Sequence, residues 1–298
     1  MNKKKKKLSR EELIFHIIAV PIFIVFVLLC AYPFYYLVIC TISENKAVDL
    51  GQVVFWPKGF SLENYVKVLN RPNMLHSAWI SLLRVVIGTV LSIFATSYMA
   101  YFFTREEMWH KKLWYRIMVI TMYFSAGLIP HYLNIRALGL GNTFWVYVIP
   151  GMIGVYNMVL IKTSIESLPA DLEESAYLDG AGYFTRYFRI VLPLNKAILA
   201  TTALFSMVGH WNDFFTTKLY VTNTKLYTVQ FVLYELLEQA RAAAEQVTEM
   251  NQNMYANTIT PKAFSNTMTM IVIVPIMCVY PFIQKHYVKG VMIGAVKG

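Results

Sequence analysis

The chain has few of the residues from which metal sites and disulfide frameworks are built. Its 298 residues include three cysteines and six histidines. Cys30, Cys40 and Cys278 lie inside apolar runs, with neither the spacing of metal ligands nor a clear disulfide partner. The histidines are scattered, and no two of them stand at ligand spacing. We therefore expect buried free thiols and no metal site.

Charged residues are also scarce. They make up 15% of the chain, whereas soluble domains carry about a quarter of charged residues. Apolar residues make up 57%, against about half in soluble domains. The net charge is +10, but no basic stripe with interleaved aromatics indicates a nucleic-acid partner. The composition predicts a protein embedded in a lipid bilayer.

The chain lacks the motifs of an ATP-driven motor or an enzyme. It contains no Gly-Lys dipeptide, so no Walker-type loop can hold the phosphates of a nucleotide. No paired carboxylates or Ser/His/Asp set stands in a soluble domain. We expect no catalytic residue and no cofactor in this chain, and any energy for transport has to come from a partner.

Six apolar stretches come close to the ~20 residues that a bilayer-spanning helix needs. They predict an all-α polytopic membrane protein, with a basic N-terminus at 1–12 followed by one transmembrane domain at 13–298. The first stretch is too long for a cleaved signal peptide, and no small-residue cleavage site follows it. The six predicted spans are 13–42, 77–103, 113–133, 144–164, 196–216 and 266–285.

Basic residues are distributed unequally between the two sides of these spans. With the N-terminus inside, 17 of the 27 Lys and Arg residues fall on the inner side and nine on the outer side, with Arg84 inside a span. Because basic residues favour the cytoplasmic side, both termini and the loop at 167–194 are predicted to be cytoplasmic. The segments 43–75 and 217–265 are predicted to be outside.

The longest polar interruption of the apolar region lies at 171–193. Asp171 is predicted to cap a short helix that carries Glu173 and Glu174 in its first turn. Gly180 can end that helix in a left-handed conformation without a Cβ clash. So short a helix is marginal alone, since nucleation costs more than its few hydrogen bonds return. We expect its surface to dock on another protein, the alternative being a capped, solvated hairpin.

A second helix is predicted to follow and to end at Pro193. Its predicted apolar face contains Phe184, Phe188, Val191 and Leu192, with Arg186 and Arg189 turned away from it.

The loop resembles the coupling loop of ABC-importer permeases. That pattern runs Glu-Ala-Ala, three residues to Asp-Gly, and an apolar stretch ending in Leu-Pro. The matching residues are Glu174, Ala176, Asp179, Gly180, Leu192 and Pro193, whereas Ser175 replaces the first alanine. The resemblance implies an ATPase-coupling role for Glu173, Glu174, Ser175, Ala176, Asp179, Gly180 and Ala181.

Further segments extend the resemblance to carbohydrate-importer permeases, in the branch that serves oligosaccharides or polysaccharide fragments. These segments are Gly127–Pro130 with Leu138–Thr143, Trp211–Phe215, and the tail at 288–298. The family implies the type I ABC-importer fold in a bacterial cytoplasmic membrane. It also implies a second, non-identical permease, two ATPase subunits that bind ATP and Mg, and an extracytoplasmic solute-binding protein.

Saccharide sites combine aromatic platforms with amide or carboxylate hydrogen bonds. Near the end of the fifth span, Trp211, Asn212 and Asp213 offer these groups together. We expect them to line the substrate path, with Tyr123, Phe124 and Asn157 as further candidates. The alternative is that Asn212 and Asp213 cap the helix and Trp211 lies in the interfacial aromatic belt.

Two further features have open interpretations. Arg84 is predicted to snorkel to the outer interface, or to form a salt bridge with a partner subunit. A helix predicted at 229–247 has one apolar face, which lies on the membrane surface or reaches towards a docked binding protein.

Three function classes follow from the sequence. The first is an ABC import permease for saccharides. The second is an ABC permease for another solute, such as a peptide or an amino acid, because the coupling loop is common to these importers. The third is a secondary transporter, a channel or a membrane-embedded enzyme, and none of these explains the loop at 171–193.

Overall fold

The computed structural model describes residues 9–247, 265–278 and residue 281. Over these residues the secondary structure is helical, with extended pairing limited to an isolated antiparallel bridge between Ser43 and Phe60. The α-helices are α1 (Arg10–Thr41), α2 (Asn45–Asp49), α3 (Glu63–Leu69), α4 (Met74–Phe102), α5 (Lys111–Thr121), α6 (Leu128–Ala137), α7 (Val155–Glu166), α8 (Asp171–Leu178), α9 (Tyr183–Arg186), α10 (Leu192–Leu194), α11 (Lys196–Asn212), α12 (Phe215–Tyr220), α13 (Val229–Val247) and α14 (Ser265–Cys278). A π-helix covers Tyr187–Val191, and 3-10 helices cover Phe144–Tyr147 and Thr224–Leu226.

Within the described residues, α1 and α4 are each long and apolar enough to cross a bilayer. They confirm helices at the first two predicted spans. The segment Tyr183–Leu194 and α11 form a third, broken candidate, bent by 85°. The helix α14 begins one residue before the predicted sixth span, and the residues that would complete that span are partly outside the described ones.

The prediction of one continuous helix at 113–133 is wrong. The stretch is divided into α5 and α6 by residues 122–127. Gly127 adopts φ +89°, a left-handed value that a residue with a Cβ rarely takes. Pro130 then lies in the first turn of α6, where its missing N–H costs no helical hydrogen bond.

The prediction of one continuous helix at 144–164 is also wrong. A short 3-10 helix is followed by irregular backbone around Pro150, and α7 begins only at Val155. Two hydrogen bonds from α4 satisfy part of this backbone: Thr96 Oγ1 donates to the Met152 carbonyl at 3.3 Å and accepts from the Gly154 N–H at 3.2 Å. Irregular backbone at membrane depth needs such partners, because lipid offers none.

The N-terminal start of α1 follows from its local sequence. Ser9 accepts a hydrogen bond from the Glu12 N–H, and the Glu12 carboxylate accepts one from the Ser9 N–H. This reciprocal capping box satisfies two N–H groups that a helix start leaves without partners. From Leu13 to Leu29 the side chains are almost all exposed, as expected for a helix that faces lipid or another subunit. Of the three thiols, Cys40 is buried, whereas Cys30 and Cys278 are exposed.

Small residues line much of the buried face of α4. These small or hydroxyl-bearing side chains recur every fourth residue, except where Arg84 and Val85 interrupt the pattern. The small or hydroxyl-bearing residues are Ser77, Ser81, Gly88, Ser92 and Thr96. Small residues let membrane helices approach closely, which replaces the hydrophobic driving force that lipid removes.

The chain divides into two units. The first comprises Met1–Asn70 and Leu237–Ile271, and the second comprises Arg71–Leu236 and Val272–Gly298. In the first unit, the end of α1 packs around the buried Cys40. All candidate site residues named above belong to the second unit.

The helix predicted at 229–247 is confirmed as α13. Val229, Val232, Leu233 and Leu236 on its apolar face are buried, and the Val229 N–H donates to Ser81 Oγ at 2.8 Å. The chain itself therefore covers this face. The interpretation that the face lies on the membrane surface is wrong.

Candidate functional site

The residues predicted to couple to an ATPase occupy α8 and the turn after it, and this predicted coupling loop keeps that name below. The helix begins at Asp171. Its N-cap residue is Ala170, which has an α conformation and no side chain that caps the helix. The prediction of Asp171 as the N-cap is therefore wrong by one residue. The carboxylates of Asp171, Glu173 and Glu174 all lie in the first turn, where they interact favourably with the positive end of the helix.

The end of α8 is a Schellman motif. The Gly180 N–H donates to the Tyr177 carbonyl at 3.0 Å, and the Ala181 N–H donates to the Ala176 carbonyl at 2.9 Å. Gly180 has φ +79°, as the position after the C-cap of this motif requires. The predicted left-handed turn is confirmed. It follows the Asp179 C-cap and sets the direction in which the chain leaves α8.

The second helix of the loop packs differently from the prediction. Tyr187 and Val191 are buried against α4 and α7, and the Tyr187 hydroxyl lies 2.6 Å from Ser97 Oγ. Phe184 and Phe188, which were predicted to share one apolar face with Val191, are instead 60% and 48% exposed. The π-helix shifts the face of the helix that packs inward, since a wider turn displaces the 3.6-residue period.

Arg186, which was predicted to lie away from that apolar face, is 5% exposed. Its guanidinium lies 5.2 Å from the ring centroid of Tyr177 and 4.6 Å from that of Tyr183. These rings belong to α8 and α9, so one cation contacts both short helices of the loop. The helix ends at Leu194, one residue beyond Pro193.

The side chains of the loop divide into inward and outward groups. Glu173 forms an ion pair with Arg105, just beyond α4, and faces the chain. Glu174, Ser175, Asp179 and Gly180 are exposed, whereas Ala176 and Ala181 are partly buried.

Large apolar side chains of the loop are also exposed. Leu172, Tyr177, Leu178, Phe184 and Phe188 have exposures between 43% and 78%. An exposed apolar patch beside acidic residues is typical of a surface that binds another protein.

A second candidate site is a cavity of about 420 Å³ inside the second unit. It lies between α4, α6, the broken segment before α7, and α11. The irregular backbone at Pro150–Gly154 lines it, in agreement with the rule that such backbone is tolerated where it faces a cavity. Its polar side chains are Arg84, Ser92, His131, Asn157, Ser206, His210, Asp213 and Thr216.

An ion pair between Arg84 and Asp213 forms one side of this cavity. Arg84 is 3% exposed; it pairs with the Asp213 carboxylate and donates from Nη1 to the Asp213 carbonyl at 2.7 Å. That carbonyl follows the last residue of α11, so the guanidinium satisfies an acceptor at a negative helix end. The guanidinium also lies 4.6 Å from the ring centroid of Tyr147. Neither interpretation of Arg84 holds, because it does not snorkel and its partner is in the same chain.

The Asp213 carboxylate also organises the start of α12. It accepts hydrogen bonds from the Thr216 N–H at 3.0 Å and the Thr216 hydroxyl at 2.5 Å. Asp213 therefore lines the cavity and joins the end of α11 to the start of α12. The carboxylate thus caps the start of α12 rather than the end of α11, where capping was predicted, and the role of Asp213 in a substrate path stays a prediction.

Close approach of α4 and α11 beside the cavity depends on Gly88. A Cβ at this position would lie 2.5 Å from Nε2 of His210, a separation that real structures do not show. The glycine therefore makes the room in which the imidazole of His210 lies against α4.

The structure brings Asn157 and Asp213 together at the cavity, but not the other predicted substrate-path residues. Tyr123 and Phe124 lie in the break between α5 and α6 and are 75% and 77% exposed. The Trp211 indole N–H donates to the Val272 carbonyl at 3.1 Å. Asn212 is exposed at the last position of α11.

Asn142 belongs to Leu138–Thr143, one of the segments that resemble carbohydrate-importer permeases, and it has a structural role. Asn142 adopts φ +57°, and its side-chain oxygen accepts from the N–H groups of Thr222 at 2.6 Å and Asn223 at 3.0 Å. The Asn142 N–H donates to the Tyr220 carbonyl at 2.9 Å. This residue fastens the turn after α6 to the turn after α12. The tail motif at 288–298 lies outside the described residues.

Sequence reasoning missed the pairing of Arg84 with Asp213 and the cavity residues His131 and His210. The pair had a signal: two opposite charges in separate apolar spans are expected to find each other, since either alone is costly in lipid. The histidines had no signal of this kind. Among residues 9–247 and 265–278, no group of three or more His, Cys, Asp and Glu side chains is arranged to hold a metal.

Comparisons with known proteins give a consistent result. A family profile described as "Binding-protein-dependent transport system inner membrane component" matches residues 3–293. The chain is 35% identical over 267 residues to Protein LplC of Bacillus subtilis (strain 168), covering 89% of each. It is 32% identical over 277 residues to the polygalacturonan/rhamnogalacturonan transport system permease protein YtcP of the same organism, covering 92% of this chain and 95% of that one.

A solved structure is similar along nearly the whole chain. It is a chain of a bacterial ABC transporter involved in the import of the acidic polysaccharide alginate. The TM-score is 0.84 at 26% sequence identity, over 95% of this chain and 100% of the other.

Proposed function

Because the chain belongs to the family of binding-protein-dependent transport system inner membrane components, we infer that it is the permease subunit of an ATP-driven importer of oligosaccharides or polysaccharide fragments. The relatives named for polygalacturonan, rhamnogalacturonan and alginate transport support a saccharide as cargo. A peptide or amino acid is the alternative cargo. A secondary transporter or channel is the distant alternative.

The observation that carries the proposal is the loop of α8 and α9. Its Schellman turn at Gly180 fixes two short helices, and its outer surface combines Glu174 with exposed apolar side chains. Such a surface is suited to a cleft of a cytoplasmic ATPase, with Glu174 and Ala176 at the contact. Ser175, Asp179 and Ala181 belong to the same loop, and Glu173 supports it from the inner side.

The proposed topology has six passes, with both termini in the cytoplasm. The bias of 17 basic residues on the inner side against nine on the outer side supports this orientation. The broken segments at 113–133 and 144–164 count as passes in this proposal, because interrupted helices are tolerated where they face a cavity.

The proposed transporter contains three kinds of partner component. A second, non-identical permease completes the path, and two ATPase subunits hold ATP and Mg. An extracytoplasmic binding protein delivers the saccharide. ATP binding and hydrolysis shift the equilibrium between inward-open and outward-open packings, and the coupling loop passes that shift to this chain.

The proposed substrate path includes the cavity at Asn157 and Asp213. The Asn157 amide can donate and accept hydrogen bonds and the Asp213 carboxylate can accept them, which suits sugar hydroxyl groups. Four other residues lie outside this cavity, and their place in the path stays a prediction. They are Tyr123, Phe124, Trp211 and Asn212. The second permease contributes the remaining contacts.

The test is reconstitution of the complex in sealed vesicles with its binding protein. We expect ATP-dependent uptake of labelled oligogalacturonides and stimulation of ATP hydrolysis by them. Stimulation by peptides or amino acids instead would favour the alternative cargo. Uptake that proceeds without ATP would place the protein outside this class of importers.

A further inference from the structure

The first helix of the coupling loop is attached to the chain mainly at one side. None of the eight residues of α8 is buried. A polar link on its inner side is the ion pair between Glu173 and Arg105, whose side chains are 17% and 18% exposed. A displacement of α8 acts on the chain through the backbone, through the contact of Arg186 with Tyr177, and through this charge-assisted ion pair.

Arg105 is held rigidly at the end of α4. It lies three residues beyond Phe102, the last residue of that helix. Its Nε and Nη2 atoms donate to Thr104 Oγ1 at 3.2 and 2.9 Å, and Thr104 Oγ1 donates to the Tyr101 carbonyl at 2.7 Å. The guanidinium also lies 4.5 Å from the ring centroid of Tyr101. These contacts tie the cation to the last turn of α4.

The carboxylate has no second partner in the structure to take over. Among the described residues, Glu173 Oε1 is buried without a hydrogen bond, so its pairing depends on the contact of Oε2 with Arg105. Removal of Arg105 would leave a mostly buried charge uncompensated, which is more costly than loss of a surface pair.

The helix that carries this link also lines the cavity. Arg84 and Ser92 of α4 are cavity residues, and Arg84 is roughly 30 Å from Arg105 at 1.5 Å per residue. A continuous helix transmits displacement over such a distance with little bending, and α4 contains no proline.

We propose that Arg105 is a positioning residue for transport: through Glu173 it transmits displacement of α8 along α4 to the cavity. The inference rests on the proposed function, because it requires an ATPase bound to α8. It assigns the ion pair a role in coupling beyond local folding of the loop.

The test uses the whole transporter, with Cys30, Cys40 and Cys278 replaced by serine. A reporter thiol is placed in the cavity by Ser206→Cys. Its reaction rate with a maleimide is measured with and without ATP, Mg and vanadate, so no transported solute is needed. We expect Arg105→Gln to keep the ATPase bound and hydrolysing, and Glu173→Gln is compared with it in the labelling measurement alone. The ATP-dependent change in labelling rate should fall about five-fold or more, the lower end of couplings between linked sites.

Two further variants separate coupling from folding. The exchanged pair Arg105→Glu with Glu173→Arg should restore most of the ATP-dependent change. Glu166→Gln removes a carboxylate nearby that pairs with Lys162 at 2.6 Å within one helix, and it should leave the change at the parental value.

The outcomes are distinct. A parental ATP-dependent change in both single variants would overturn the inference, and so would an exchanged pair no better than the single variants. A parental complex that binds no ATPase, or shows no response to ATP, would overturn the proposed function and the inference with it.

Discussion

At the scale of single residues, Gly180 has the most constrained conformation of the coupling loop. Its φ of +79° is left-handed, but a Cβ would meet no atom within 4 Å. The cost of a substitution is therefore backbone strain rather than a clash, roughly 1–2 kcal/mol for a residue with a Cβ. A β-branched residue is strained further, whereas asparagine tolerates this region.

We predict that Gly180→Val loses ATPase copurification or uncouples hydrolysis from transport, that Gly180→Ala is milder, and that Gly180→Asn is close to the parent. Ala176→Trp should wedge the ATPase contact, whereas Ser175→Ala should be nearly silent. The measurement is ATPase copurification and transport in one membrane preparation. Parental values for both Gly180→Val and Ala176→Trp would mean that the loop is an ordinary surface hairpin.

Gly88 and Gly209 form a matched pair on the facing helices α4 and α11. A methyl at Gly88 would collide with the His210 ring, whereas a methyl at Gly209 would enter open space. We predict that Gly88→Ala destabilises the protein by about 1–3 kcal/mol, as overpacking does. Gly209→Ala should stabilise it by about 0.5–1 kcal/mol, since alanine favours the helix. Thermal unfolding in detergent distinguishes them, and equal shifts would contradict the packing described for Gly88.

At the scale of helices, the Arg84–Asp213 pair fastens α4 to the junction of α11 and α12. Removal of one partner leaves the other charge inside the protein, which costs on the order of 2–3 kcal/mol of unfolding free energy. This cost is lower than for a fully buried pair, because the Asp213 side chain is 27% exposed. We predict that Arg84→Met and Asp213→Leu each lower the unfolding temperature. The double variant should recover most of the loss, because no charge is left alone.

The measurement is thermal unfolding of the four proteins in one detergent. Independent losses that add in the double variant would show that the two side chains do not stabilise each other. Transport by the double variant is a second readout, since Asp213 also lines the cavity.

The long helices could be predicted from sequence, whereas the broken ones could not. Hydropathy finds α1 and α4 because each is an uninterrupted apolar run. It cannot place the break at Pro150, because that break depends on Thr96, more than fifty residues earlier, for its hydrogen bonds. The prediction that Phe184 and Phe188 share one face with Val191 was wrong for a related reason. A π-turn at Tyr187 changes the helical period, and tertiary packing decides where such a turn forms.

At the residue level, the coupling loop was more predictable than the cavity. The turn at Gly180 is local and follows from the conformational freedom of glycine. The partners of Arg84 and Glu173 come from distant parts of the chain. Opposite charges in a membrane sequence indicate that a pair exists, but the sequence does not specify which charges are paired.

At the scale of the whole molecule, orientation in the membrane is the main prediction. In a cysteine-free parent, Ser175→Cys and Thr224→Cys both place a thiol at an exposed position. We predict that an impermeant maleimide applied to intact cells labels the thiol at position 224 and not the one at 175. Cells that are permeabilised and denatured provide the control, in which both thiols react. The reverse pattern in intact cells would invert the topology.

The 85° corner between Tyr183–Leu194 and α11 has a mechanical consequence. Asn195 at the corner is buried; its amide donates to the Val191 carbonyl at 2.9 Å, and its oxygen accepts from Ser164 at 2.6 Å. The two arms contain 12 and 17 residues, so they are roughly 18 and 25 Å long. If both arms rotate together about Asn195, the far end of the long arm moves about 1.4 times as far as the far end of the short arm. The two displacements are nearly at right angles to each other. We therefore predict that the corner acts as a bent lever, so that a small displacement of the short arm gives a larger displacement of the end of α11 beside Asp213.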